Sequence, residues 1–163
     1  MCLYSYDYTA KRAKKRIVSY KSVTESDYNN CIDKNLCTFF SAFRNFMYVG
    51  GKLYYEPCFQ KEMEYRIVYE GFHSHVGIEE AEYECRDNQF PATTILRCEI
   101  PRGAYYYKGS SSMGEDLCSD FLIVTGWKRP DEDKWHKFPY EKSRLAVMLA
   151  IFKVRLRNWW YGR

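Results

Sequence analysis

The sequence is poor in features that would settle the protein's setting at once. It has no C-x-x-C pair, and its seven cysteines (Cys2, Cys31, Cys37, Cys58, Cys85, Cys98 and Cys118) are an odd number. A complete disulfide framework within one chain is therefore excluded, and a reducing compartment fits best. The opening Met-Cys-Leu-Tyr-Ser-Tyr-Asp-Tyr lacks the apolar core of a secretory signal, and the basic run follows it rather than preceding it. The longest apolar run, 145–152, is far short of the roughly 20 residues that span a bilayer. Neither a Walker loop nor a Rossmann glycine fingerprint is present, and Glu115 and Asp116 beside the Gly/Ser stretch 109–114 would repel phosphate. No internal repeat is seen. A net charge of +4 is too small to indicate nucleic-acid binding by itself. The expectation is a soluble cytoplasmic protein with no membrane partner, for which nucleic acid is admitted as a partner but not favoured.

What the chain does have is aromatic residues, 16 tyrosines and 10 phenylalanines, suited to both core and contact surfaces. At 163 residues it fits one domain, 1–163, that buries roughly 68–70% of its unfolded surface. The most patterned stretch is 93–124. A strand over 94–100 is stopped by Pro101 and Gly103, and a second strand over 104–108 carries three tyrosines. A small polar loop over 110–114 follows, then a buried strand within 120–125, centred on 121–124.

Elsewhere, 1–15 reads as a basic arm or short helix, with a solvated face favoured over phosphate contact for the run 11–16. Strands are expected over 17–21 and 66–69, with a short candidate at 52–56 and loops at 24–34 and 127–139. Phenylalanines spaced by three and four predict a helix over 39–47, ended by Gly50-Gly51. A short acidic helix is expected over 78–84. A C-terminal amphipathic helix is expected over 144–156, within 140–160. Its Leu145, Met148, Leu149, Phe152, Leu156 and Trp159 would dock on the sheet and leave its cations in water. The class is α+β, a mixed and mainly antiparallel sheet flanked by a few helices.

Chemistry-bearing residues are sparse. His73 and His75, two apart, would share a face of an extended strand as a metal pair does. No spacing signature supplies further ligands from Cys85, Cys98, Glu99 or Asp120, so no metal is expected. Cys98 or Cys118 with His73 could form a nucleophilic pair, but no oxyanion turn accompanies either, and buried structural cysteines are the favoured reading.

The order of segments carries more. A strand with Tyr20-Lys21 precedes a strand entering Gly71-Phe72-His73-Ser74 and a helix with Ala81 and Tyr83. Ile95-Leu96-Arg97-Cys98-Glu99-Ile100-Pro101-Arg102-Gly103-Ala104-Tyr105 follows, then a polar loop and Ser119-Asp120-Phe121-Leu122-Ile123-Val124. Over roughly 16–125 this resembles the catalytic core of the ADP-ribosyltransferases, especially the poly(ADP-ribose) polymerase-like branch. The chain also resembles small phage and bacterial proteins with Gly-Phe-His-Ser and Ile-Pro-x-Gly-x-x-Tyr-Tyr-x-Gly motifs.

The first resemblance implies a split sheet with a cleft that accepts NAD. Tyr83 would stack on the nicotinamide, Ser74 would lie beneath it, and Gly71 and His73 would belong to the same cofactor-binding turn. Asp120 would replace the family's catalytic glutamate, one methylene shorter, and Tyr20 or Lys21 would stand where a ribose-anchoring His or Arg does. The expected function is that of a small phage-encoded protein in the host cytoplasm that binds a nucleotide or a host protein without turnover. The alternative is an active NAD-dependent ADP-ribosyltransferase that modifies a host protein or nucleic acid. In either case the cleft is expected between the 71–75 turn, the helix carrying Tyr83 and the strand start at Asp120.

Overall fold

The computed structural model describes residues 3–25, 38–41, 46–87, 92–112, 114–139 and 143–160. Alternating and continuous apolar runs form its strands. In chain order these are β1 (Leu3–Ser5), β2 (Lys11–Arg12), β3 (Ile17–Glu25), β4 (Thr38–Ser41), β5 (Met47–Val49), β6 (Leu53–Tyr55), β7 (Ile67–Val68) and β8 (Phe72–His75). After helix α1 (Ile78–Arg86) come β9 (Thr94–Ile100), β10 (Tyr105–Ser111), β11 (Gly114–Ser119), β12 (Phe121–Lys128) and β13 (His136–Lys137), then helix α2 (Arg144–Trp160). The class is α+β as expected, with a strongly curled sheet and two helices among the described residues, the second at the C-terminal end.

The sheet runs β13-β12-β9-β3-β8-β11-β10-β1-β7, and each of these pairings is antiparallel. Its centre is the β12–β9–β3 ladder. Ile95, Leu96, Cys98, Ile100, Leu122 and Val124 there are fully buried, which explains why these strands read as near-continuous apolar runs. Pairing is uneven along the sheet. Strand β3 holds β9 through seven residue pairs, from Ile17↔Ile100 to Val23↔Thr94, but holds β8 through the single pair Tyr20↔His75. Two well-laddered halves thus meet at one residue pair. Beside it the Lys21 ammonium reaches across and donates to the His73 carbonyl at 2.8 Å.

The structure corrects several sequence expectations. The segment expected to be a helix over 39–47 is a hairpin in its described parts, with β4 paired to β5 through Phe39↔Tyr48 and Phe40↔Met47; residues 42–45 lie outside the described residues. Spacings of three and four do not distinguish a helix from a hairpin when aromatics crowd both faces. Here Val23–Glu25 offers an open edge to β4, and Phe39 buries its ring against Trp127 and Phe138. Residues 3–5 and 11–12 are strands rather than a helix or arm, because β10 supplies backbone partners to both β1 and β2. Of the expected loop over 110–114, Ser110 and Ser111 end β10 and Gly114 begins β11, while residue 113 lies outside the described residues.

Strand β7 is shorter than the expected 66–69. The 71–75 turn is strand β8, Thr24 and Glu25 complete β3, and 127–139 contains the end of β12 and all of β13. The rest of the expected 24–34 loop, 26–34, falls outside the described residues. Helix α2 docks through Val147 and Ile151, and the stripe expected to face the sheet stands in solvent.

Candidate functional site

The cleft lies where β3 and β8 part. Strand β8 is fed by Gly71, whose φ of +131° and close approach both call for glycine; a Cβ there would come within 2.4 Å of the Cys118 sulfur. All four residues of β8 are buried, including the polar His73, Ser74 and His75. Helix α1 lies across this strand and turns Ala81 and Glu84 inward. The neighbouring Glu82 faces another way and pairs with Lys128 at 2.8 Å.

His75 is the centre of a buried ionic cluster. Its Nδ1 lies 2.7 Å from Asp116 Oδ1, and its Nε2 lies 3.2 Å from Glu84 Oε2. Both carboxylates are almost fully buried. The Ser22 hydroxyl donates to the same Glu84 oxygen. Burial alone would lower the imidazole pKa. Hydrogen bonds to Asp116 and Glu84 outweigh it and raise the pKa from 6.5 to about 9. Burial likewise opposes ionisation of Glu84, but the bonds to His75 and Ser22 hold its carboxyl below the ordinary value. The centre is therefore an imidazolium clamped between carboxylates. Removing one partner of such a cluster strands a buried charge, at a cost of roughly 3–5 kcal/mol.

Lys21 lies beside this cluster. Its ammonium bonds to the His73 carbonyl and lies 5.8 Å from the centroid of the Tyr48 ring. Burial lowers its pKa, against the attraction of Cys98, Glu84, Cys118 and Asp116.

Above the cluster is a cavity of about 80 Å³. Phe46, Tyr48 and Phe72 line it with aromatic surface, and Lys21, Ser74 and Glu84 line it with polar groups. Two of its buried polar atoms, Ser74 Oγ and Glu84 Oε1, have no hydrogen-bond partner among the described residues. The second oxygen of Asp116 is also without one.

Of the residues singled out from the sequence, Lys21, Gly71, His73 and Ser74 line this cavity. Tyr20, Tyr83 and Asp120 do not. Tyr20 is the backbone partner of His75, but its ring packs 6.0 Å from Trp135. Tyr83 is 60% exposed on α1, one residue from the inward-facing Glu84. Asp120 opens β12 beside a separate hollow with Tyr55, Lys61 and Arg155. There its Oδ1 accepts the Tyr105 N–H at 2.8 Å, and its Oδ2 lies 3.7 Å from Arg155. Burial raises the Asp120 carboxyl to about 6, although the Tyr105 N–H and Arg155 act in the other direction.

Cys98 and Cys118 are buried. Cys98 is fully buried, and burial pushes its thiol up to about 12. Cys118 faces His73 across the β8–β11 ladder, and its thiol donates to the Glu70 carbonyl at 3.4 Å. His75 offers both ring nitrogens to carboxylates, and no cluster of three or more metal-ligating side chains occurs among the described residues.

Glu84, Asp116 and Ser22 were missed from the sequence. One signal for Glu84 was readable: it follows Ala81 by three, so it puts an acid on the helix's apolar face. Comparison with protein-family models, with curated proteins and with solved structures finds no match.

Proposed function

We propose that the protein is a nucleotide-binding module whose cleft takes the ring end of the ligand. The observation that carries this reading is Glu84. It is a buried, ionised carboxylate with one oxygen committed to His75 and Ser22 and the other without a partner among the described residues, at the base of an aromatic-walled cavity. Such an oxygen calls for an N–H donor. Ser74 Oγ, also without a partner, can donate to or accept from the same group. A nucleobase edge or a nicotinamide carboxamide presents a donor and an acceptor side by side, on a flat ring that Phe46, Tyr48 and Phe72 would cover.

Size limits how much enters. About 80 Å³ is small against the roughly 300–1,000 Å³ of a pocket that engulfs a whole drug-sized ligand. The sugar and phosphates would therefore stay at the mouth.

A second reading, ADP-ribosyl transfer from NAD, keeps the same site but reassigns its carboxylate. Asp120 lies outside the cavity, and of the two acids that line it, Glu56 and Glu84, Glu84 is the buried one. In this reading Glu84 rather than Asp120 would face the ribose as positive charge develops during cleavage of the nicotinamide bond.

Ligand-observed NMR with nicotinamide, adenosine and NAD tests the binding reading. At least one should bind, and Glu84→Gln should weaken it about 10-fold or more, the value of a charge-assisted hydrogen bond. Ser74→Ala, which leaves the ionic cluster intact, should weaken it less. Absence of binding by all three, or binding indifferent to both variants in folded protein, ends the proposal. Incubation with labelled NAD and a cell lysate separates the readings, since only the transferase leaves label on a macromolecule.

A further inference from the structure

Helix α2 carries two apolar surfaces and buries only one. Val147 and Ile151 enter the core, whereas Leu145, Leu149, Phe152, Leu156, Trp159 and Trp160 recur at spacings of three and four on exposed positions. Trp159, Trp160 and Phe152 are 74%, 76% and 62% exposed. With aromatic side chains of roughly 150–250 Å² each, these three present on the order of 400 Å² of apolar surface. That already matches the roughly 300–600 Å² of an ordinary monomer's largest patch. The leucines extend it along the helix.

The charge on the helix itself has one sign. The helix holds Arg144, Lys153, Arg155 and Arg157 and no acidic residue. Arg155 turns toward Asp120 and the Tyr105 ring, and the other three are exposed. Arg144 sits at the positive end of the helix dipole, an unfavourable place for a cation unless anions gather there. Beside it a groove of about 540 Å³ between α2 and the sheet brings in Lys14, Lys15 and Arg102, next to Met148 at the edge of the strip. The acid in that groove, Glu99, is already paired with Arg16 at 2.8 Å. The basic run 11–16 and the C-terminal helix, far apart in sequence, thus supply one cationic border.

We propose that this face docks on the surface of an anionic lipid bilayer. The Leu/Phe/Trp strip would lie at the boundary of headgroups and acyl chains, and Lys14, Lys15, Arg102 and Arg144 would meet headgroup phosphates. No described helix is long and apolar enough to cross a membrane, so α2 would lie in the interface plane. An acid-free helix with basic flanks and two terminal tryptophans is the composition of such an anchor. A second copy of the chain fits less well, because pairing this face with itself brings two sets of cations together. A nucleic acid would neutralise the cations but leave the leucines uncovered.

Flotation of the full chain with vesicles of phosphatidylcholine alone, and of phosphatidylcholine mixed with phosphatidylserine, tests the proposal. Binding is expected to the mixed vesicles, with a blue shift of tryptophan emission, and to decline with salt. The double variant Trp159→Ser/Trp160→Ser should lose it, and Arg144→Gln or Lys14→Gln should each weaken it about fivefold. All these positions are exposed, and circular dichroism melts confirm that the variants fold. Failure to bind either vesicle overturns the proposal, as does binding that the variants leave unchanged. A concentration-dependent dimer abolished by the tryptophan variant, with no lipid binding, assigns the face to a second copy instead.

Discussion

The clamped histidine makes stability depend on pH in a direction and a range that can be stated beforehand. The perturbation is titration of His75, whose folded-state pKa of about 9 stands above its unfolded value of 6.5. Between these values the folded chain holds a proton that the unfolded chain has released, so stability falls as pH rises. The contribution is complete below pH 6.5 and is lost as pH passes through about 9. At about 1.4 kcal/mol per pH unit, the interval corresponds to about 3 kcal/mol.

Lys21 acts in the opposite sense, since its lowered pKa makes stability rise with pH below 10.5. The assay must separate the two. Urea unfolding at a series of pH values does so through the difference between the curves of wild type and His75→Gln, repeated in a Lys21→Met background that removes the lysine titration. That difference should shrink by about 3 kcal/mol from pH 6 to pH 9.5. An independent readout is the imidazole nitrogen shift, which should report both nitrogens protonated at pH 7.5. A stability difference that stays constant with pH, or a neutral imidazole in the folded state at pH 7.5, would refute the clamp.

Two further outcomes follow from the same kind of argument. The Asp120 carboxyl is raised from 3.8 to about 6, so wild type should lose on the order of 3 kcal/mol between pH 4 and pH 7.5 through this group. Asp120→Asn, which keeps an oxygen for the Tyr105 N–H, should gain on wild type by that amount over the range; thermal melts in which the gap does not widen count against it. Gly109 lies so close to β1 that a Cβ would sit 2.0 Å from the Tyr4 carbonyl oxygen. Gly109→Ala should therefore cost at least roughly 1–3 kcal/mol by overpacking against backbone, and hydrogen exchange should show β1 opening first.

The parts of the fold that were legible are those whose environment is uniform along the element. Strands β3, β9 and β12 are legible because one continuous core covers them, so pattern and structure report the same burial; the two helices are legible as elements, though not in the face they bury. The β4–β5 hairpin reads as a helix in the sequence because Phe39, Phe40, Phe43, Phe46 and Met47 recur at spacings of three and four; the choice is made by the edge of β3, which no local window contains. Strands β1, β2 and β7, two or three residues each, exist through partners far along the chain. The outward stripe of α2 was assigned to the core because its spacing is regular, whereas Val147 and Ile151 on another face are what the sheet accepts.

The site was half legible for a related reason. Gly71, His73 and Ser74 are contiguous and could be singled out together. His75, Glu84 and Asp116 meet only because α1 crosses β8 and β11 pairs with it. Asp116, noted in the sequence only as a residue that would repel phosphate, is in the fold the counter-charge of a histidine 41 positions earlier.

The short strand β1 has a consequence for the order in which the protein can be made. Ser5 pairs with Gly109, so β1 leaves the ribosome roughly 100 residues before β10 does. At about 5–20 residues per second, the wait is roughly 5–20 s. During it β7 is the neighbour synthesised first, and it offers only Leu3↔Val68 and Tyr4↔Ile67. Leu3, fully buried in the finished protein, must therefore spend most of synthesis without its β10 neighbour. A nascent chain halted before Tyr105 should still expose this strand to proteases and chaperones, and one extended past Ser111 should have closed over it.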